Sequence, residues 1–112
     1  MLKNKLALVT GAASGLGNAV AYKLAKHGAN VALVDVDKNL NVIAKEIEIT
    51  TKNSKVLATS HTCDVSDSIQ VSNLLNEIRA QHSNQIPTIV GMAWHVMLFL
   101  YFFTLFLLVK SK

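Results

Sequence analysis

Residues Thr10-Gly11-Ala12-Ala13-Ser14-Gly15-Leu16-Gly17 follow the short apolar run Leu6-Ala7-Leu8-Val9 and open a segment of helical periodicity, and no other stretch of the chain restricts the fold so tightly. An apolar run without alternation reads as a strand buried on both faces, as in a parallel sheet covered by helices. After Gly17, residues Val20, Ala21, Leu24 and Ala25 recur at helical spacing, and Gly28 stands where a helix C-terminal glycine belongs. A strand, a glycine turn and a helix N-terminus in succession make an anion site, because backbone N–H groups point outward there and the helix dipole favours a phosphate. Glycine suits the turn because a Cβ would obstruct both the tight backbone and the approach of the anion.

The rest of the chain repeats the strand-helix alternation. Asn30-Val31-Ala32-Leu33-Val34 is a second apolar strand, and it ends in Asp35, 18 residues after Gly17. From Lys38 to about Thr51, residues Leu40, Ile43, Ala44 and Ile47 recur at helical intervals, with Lys45, Glu46 and Glu48 on the wet side. Lys55 to His61 reads as a third strand leading to Cys63-Asp64-Val65, and Ser66-Asp67 caps a third helix with Ile69, Leu74, Leu75 and Ile78 as its core stripe. Ser83-Asn84-Gln85 breaks that helix before a fourth strand at Ile86 to Val90, with Pro87 tolerable at its start. The predicted class is α/β, β-α-β-α-β-α-β, with right-handed crossovers and strands ordered 3-2-1-4. Taken singly, Asp35 reads equally as a strand terminator and Asp64 as a turn residue ahead of Ser66. Each nevertheless falls at the carboxyl end of a predicted strand, where open α/β sheets bind ligands.

The Thr-Gly-x-x-x-Gly-x-Gly spacing of Thr10 to Gly17, together with Asp35 and the Cys63-Asp64-Val65 strand end, resembles the short-chain dehydrogenase/reductase family from Lys5 to about Val90. Within it the chain is most similar to the branch of 17β-hydroxysteroid dehydrogenases and 3-oxoacyl-acyl-carrier-protein reductases. The resemblance implies the N-terminal half of a doubly wound Rossmann fold over residues 1–90. It also implies a nicotinamide dinucleotide held by Thr10, Gly11, Ser14, Gly15, Leu16, Gly17, Asp35, Asp64 and Val65, with the Asp-Val pair against the adenine ring, and a cytoplasmic or mitochondrial setting. Asp35 favours NAD over NADP, since a carboxylate accepts the ribose 2′-OH and repels a 2′-phosphate. The family reaction is hydride transfer between NAD(H) and a secondary alcohol or ketone, such as a hydroxysteroid or a 3-oxoacyl thioester. It uses a catalytic Ser and a Tyr-x-x-x-Lys pair whose lysine lowers the pKa of the tyrosine. No such pair follows Val90. Tyr22 and Lys26 match the spacing literally, but they lie five residues past Gly17 on the first crossover helix and read as a solvated surface pair. No catalytic residue is therefore assigned.

Gly91-Met92-Ala93-Trp94-His95 stands where the family carries an Asn-Ala-Gly type motif. From Ile89 to Val109 run 21 residues without formal charge, and an apolar helix of about 20 residues spans a bilayer core. Flanking Lys110 and Lys112, with Trp94 and Tyr101, suit a membrane interface. Residues 91–112 thus read as an apolar C-terminal helix that contacts membrane or chaperone, which would make the chain a tail-anchored nucleotide-binding protein. A break inside a strand motif argues instead for a truncated or alternatively spliced product, and this is the preferred expectation. The net charge of +4 comes from dispersed lysines, which excludes a nucleic-acid patch. The run Leu6 to Val9 is too short for a signal peptide. Cys63, the single cysteine, permits no internal disulfide and reads as a small buried residue. His27, His61, His82 and His95 lack metal-ligand spacing.

Overall fold

The computed structural model describes residues 2–13, 15–85, 87 and 89–92. Strands β1 (Leu6–Thr10), β2 (Asn30–Asp35), β3 (Ala58–Thr62) and β4 (Ile89–Met92) alternate with helices α1 (Gly15–Lys26), α2 (Leu40–Thr50) and α3 (Ser68–Gln81), and a 3-10 turn at Lys52–Ser54 precedes β3. The strands form one parallel sheet in the order β3-β2-β1-β4, as the motif order predicts. Asn30 lies opposite Leu6 and Ile89 opposite Ala7, so β1 sits inside the sheet between β2 and β4. The first two crossovers reach the neighbouring strand, and the third carries the chain from edge strand β3 past β2 and β1 to β4 at the other edge.

The pleat sends successive side chains to opposite faces. Ala7, Val9, Val31, Leu33 and Ala58 pack with Ala21, Ala25, Leu40, Ala44 and Ile47 of α1 and α2. Leu6, Leu8, Ala32 and Val34 pack with Val71, Leu74 and Ile78 of α3. Fully burying a leucine or valine stabilises by roughly 1.5–3 kcal/mol, so β1, with all five residues buried, anchors both layers. On α1 the deep contacts come from Ala21 and Ala25, while Val20 and Leu24 are only half-buried, because small side chains let the helix lie close on the sheet. Gly28, at φ +96°, ends α1: its N–H donates to Ala25 and that of Ala29 to Leu24, a Schellman closure that directs the chain into β2.

Three local expectations change. Ile69 is 73% exposed rather than in the core. It sits about 160° around the helix from Val71 at 100° per residue, and the buried stripe is Val71, Leu74, Leu75 and Ile78. The third strand starts at Ala58, not Lys55, because the 3-10 turn ends with Lys55 in a left-handed conformation at φ +54°. Strand β4 begins at Ile89 and runs to Met92, two residues past the expected end at Val90. Among the described residues no helix is long and apolar enough to cross a membrane. The anchor expected within residues 91–112 falls almost wholly on residues outside those described, as does the Ser14 position in the glycine turn.

Candidate dinucleotide site

The three turn glycines are required for different reasons. Gly11 and Gly15 have φ of +64° and +58°, the left-handed region that L side chains seldom adopt. In front of Gly15 a Cβ would meet nothing within 4 Å, so this piece of backbone is bare toward open space. Gly17 is a packing glycine: a Cβ there would lie 2.2 Å from the Gly11 carbonyl oxygen. The first turn of α1 therefore folds directly under the loop. Leu16, 67% exposed, projects from that turn, and Asn18 Nδ2 donates to the Ala12 carbonyl at 3.3 Å. Thr10 closes β1 with its hydroxyl buried and without a partner among the described residues.

Asp35 does more than end β2. Its Oδ2 accepts the Ala13 N–H at 2.9 Å, and Oδ1 accepts the N–H groups of Val36 at 2.7 Å and Asp37 at 3.3 Å. One carboxylate thus fastens the glycine loop to the second strand. Backbone bonds from Ala12 N–H to the Val34 carbonyl and from Cys63 N–H to the Asp35 carbonyl join the ends of β1, β2 and β3.

Asp64 is exposed after β3. Its Oδ1 accepts from the Ser66 hydroxyl at 2.6 Å and the Ser66 N–H at 3.0 Å, and these two bonds hold its carboxyl below the usual aspartate range. The turn reading of Asp64 is therefore realised, with Ser66 serving the turn. Asp67 is the helix cap: its side chain accepts from the N–H groups of Ile69 and Gln70. Asp35 and Asp64 both line a cleft of about 240 Å³, together with Gly11, Val34, Cys63 and Val65. Burial, followed by the nearby Asp64, pushes the Cys63 thiol up to about 11, so it stays protonated at neutral pH. A larger open hollow of about 610 Å³ lies at the other pole of the sheet, lined by Lys3, Lys26, His27 and Lys55. It sits at the amino ends of the strands, away from the βα loops that carry ligands in open α/β sheets.

Tyr22 lies at the surface, its ring partly covered, and its hydroxyl donates to Glu46 of α2 at 3.0 Å in an exposed hydrogen bond. Burial and then that bond to Glu46 raise its pKa, the wrong direction for a proton-transferring tyrosine. Tyr22 is a link between α1 and α2.

Sequence spacing did not anticipate a buried polar chain between β3 and α3. Glu77 Oε1 meets His61 Nδ1 at 2.6 Å, His61 Nε2 meets the Thr59 hydroxyl at 2.7 Å, and that hydroxyl meets His82 Nε2 at 2.6 Å. With Glu77 ionised and His61 neutral the protons have one consistent placement. His61 Nδ1–H donates to Glu77, Thr59 donates to His61 Nε2, and His82 Nε2–H donates to Thr59. His82 Nδ1 is then left as a buried lone pair without a partner among the described residues. Burial, then the neighbouring His61, pushes the His82 pKa down to about 4. The one sequence signal was Thr59, His61 and Cys63 alternating onto one strand face.

A parallel 3-2-1-4 sheet, a glycine turn between β1 and α1, and a carboxylate closing β2 together define the dinucleotide-binding half of a doubly wound α/β fold. The family model described as short chain dehydrogenase matches residues 5–93, and the chain belongs to that family. It is 36% identical over 96 residues to a (3R)-3-hydroxyacyl-CoA dehydrogenase of Canis lupus familiaris, a match that covers 82% of this chain and 37% of the relative. It is 54% identical over 48 residues to a 3-hydroxyacyl-CoA dehydrogenase type-2 of Drosophila melanogaster, over 42% of this chain and 19% of the relative. A metagenomic short-chain oxidoreductase solved in complex with NADP superposes with a TM-score of 0.66 at 32% identity, covering 80% of this chain and 38% of that one. The chain thus spans between 19% and 38% of the length of these relatives.

Proposed function

We propose that this chain carries the adenosine and pyrophosphate portion of the NAD site of a short-chain dehydrogenase, and that alone it binds without turnover. The reading rests on one juxtaposition: Asp35 and the Asp64-Val65 turn line one cleft with Gly11, and Asp35 is bonded to the Ala13 N–H of the glycine turn. These residues fit a dinucleotide, because Gly15 offers bare backbone for a phosphate and Asp35 offers carboxylate oxygens to ribose hydroxyls. The carboxylate favours NAD over NADP by repelling a 2′-phosphate. The bound nicotinamide would supply the carbon that exchanges hydride with a secondary alcohol or ketone. The relatives named for 3-hydroxyacyl-CoA favour an acyl thioester over a steroid as the parent substrate. Absence of turnover follows from the chain's own residues, since its single Tyr-x-x-x-Lys pair is Tyr22 and Lys26, and Tyr22 is committed to Glu46.

Calorimetric titration of the 112-residue chain with NAD and with NADP tests this reading. NAD binds more tightly than NADP, and Asp35→Ala weakens NAD about tenfold, the equivalent of one hydrogen bond to a charged group. Because Asp35 also holds the Ala13 N–H, NADP gains less from that substitution than removal of charge repulsion alone would give. Equal binding of the two cofactors by the unmodified chain would overturn the assignment to NAD.

A further inference from the structure

One wall of the cleft that Asp35 lines is a turn, Cys63 to Ser66, and a turn holds its shape where its polar backbone atoms have partners. The first turn of α3 supplies one. Gln70 stands three residues after the cap Asp67, the spacing of a capping box, in which the third helical residue ordinarily reaches back to the cap's own N–H. Here it reaches further. Gln70 Oε1 accepts the Asp64 N–H at 2.9 Å, while Gln70 Nε2 donates to Asp67 Oδ2 at 3.2 Å. The amide orientation is unambiguous, because a backbone N–H can only donate and a carboxylate can only accept. Asp67 in turn accepts the Gln70 N–H at 3.3 Å, so the side chain is held at both its root and its tip. With the Asp64 N–H taken by Gln70 and the Asp64 carboxylate taken by Ser66, both polar ends of Asp64 are fixed, and with them the adjoining Val65.

We infer that Gln70 is a positioning residue for the adenosine end of the cleft: it never meets the nucleotide, and it sets the Asp64-Val65 wall against which the nucleotide lies. The inference rests on the dinucleotide reading of the cleft. It assigns to the first turn of α3 a part in ligand affinity that the glycine-turn motif does not contain.

NMR titration of the full chain with AMP, which reports the adenosine end, and with inorganic pyrophosphate, which reports the glycine turn, separates the two ends of the site. Gln70→Met keeps the side-chain length and removes the amide. It should weaken AMP about three- to tenfold, the loss of one hydrogen bond's worth of preorganisation, and leave pyrophosphate affinity and the thermal midpoint unchanged. Gln70→Glu, which retains an acceptor for the Asp64 N–H but sets a second carboxylate against Asp67 Oδ2, should fall between wild type and Gln70→Met. Equal AMP binding by wild type and Gln70→Met overturns this inference alone. A parallel loss of AMP, pyrophosphate and thermal stability overturns it too, since a general structural role would produce that result. Failure of the wild-type chain to bind AMP sinks the reading of the cleft, and this inference with it.

Discussion

The two ends of α3 treat polar atoms in opposite ways. At its amino end Asp67, Gln70, Asp64 and Ser66 bond to one another in an exposed network beside the cleft, where water can replace any partner that is lost. At its carboxyl end the buried His82 and His61 are joined through the partly buried Thr59, and the chain ends at Glu77, which is 52% exposed. An exposed network contributes little to overall stability, so it can set the shape of a ligand surface without carrying the fold. A buried one is costly to break, because each member left unpaired keeps its full desolvation cost. The same helix thus positions the cleft wall at one end and clamps the edge strand β3 at the other.

Thr59→Val is the sharpest way to break this contrast. It strips the shared partner from both histidines, and two buried polar atoms left unpaired should destabilise the fold by about 2–4 kcal/mol. Urea unfolding measures the loss, with Thr59→Ser, which restores a hydroxyl, as the control. A loss no greater than that of an exposed cap would show that the seam is not a clamp.

Acid should produce the next largest effect, and again at the seam. The folded-state pKa of His82 is pushed down to about 4 from 6.5, so between these values the unfolded chain binds the extra proton and the folded chain does not. Stability from this group is complete above pH 6.5 and is lost as pH falls toward 4. The size is on the order of 2 kcal/mol. His82→Gln removes the titration and should flatten the unfolding free energy across that window; an unchanged slope would refute the assignment. The Asp64 carboxyl, pulled down by Ser66, adds its own loss only in more acid solution, below its ordinary value of 3.8.

The amino end should give the smallest change. Asp67→Ala removes the cap bonds to the N–H groups of Ile69 and Gln70 and should cost about 1 kcal/mol in the same urea experiment. A loss as large as that of Thr59→Val would erase the distinction between the two ends.

How much of this was legible before folding depended on how local the cause was. The strands, their order, the glycine turn and the placing of Asp35 follow from apolar runs and fixed spacings, and the structure brings those residues together where the motif predicts. The start of β3 was misplaced because Lys55 adopts a left-handed conformation after a 3-10 turn, and no residue in Lys52-Asn53-Ser54-Lys55 announces it. Ile69 suits the core stripe by hydrophobicity alone, but the Asp67 cap starts the helix in a phase that turns Val71, Leu74, Leu75 and Ile78 to the sheet.

By itself the sequence determined the alternation of elements and the chemistry of the glycine turn, because both depend on residues within a few positions of one another. Only the tertiary structure decided what Asp35 holds and that Thr59, His61, Glu77 and His82 form one chain. Those contacts join residues on different elements. Their partners are selected by how α3 lies on the sheet, so no periodicity along the chain records them.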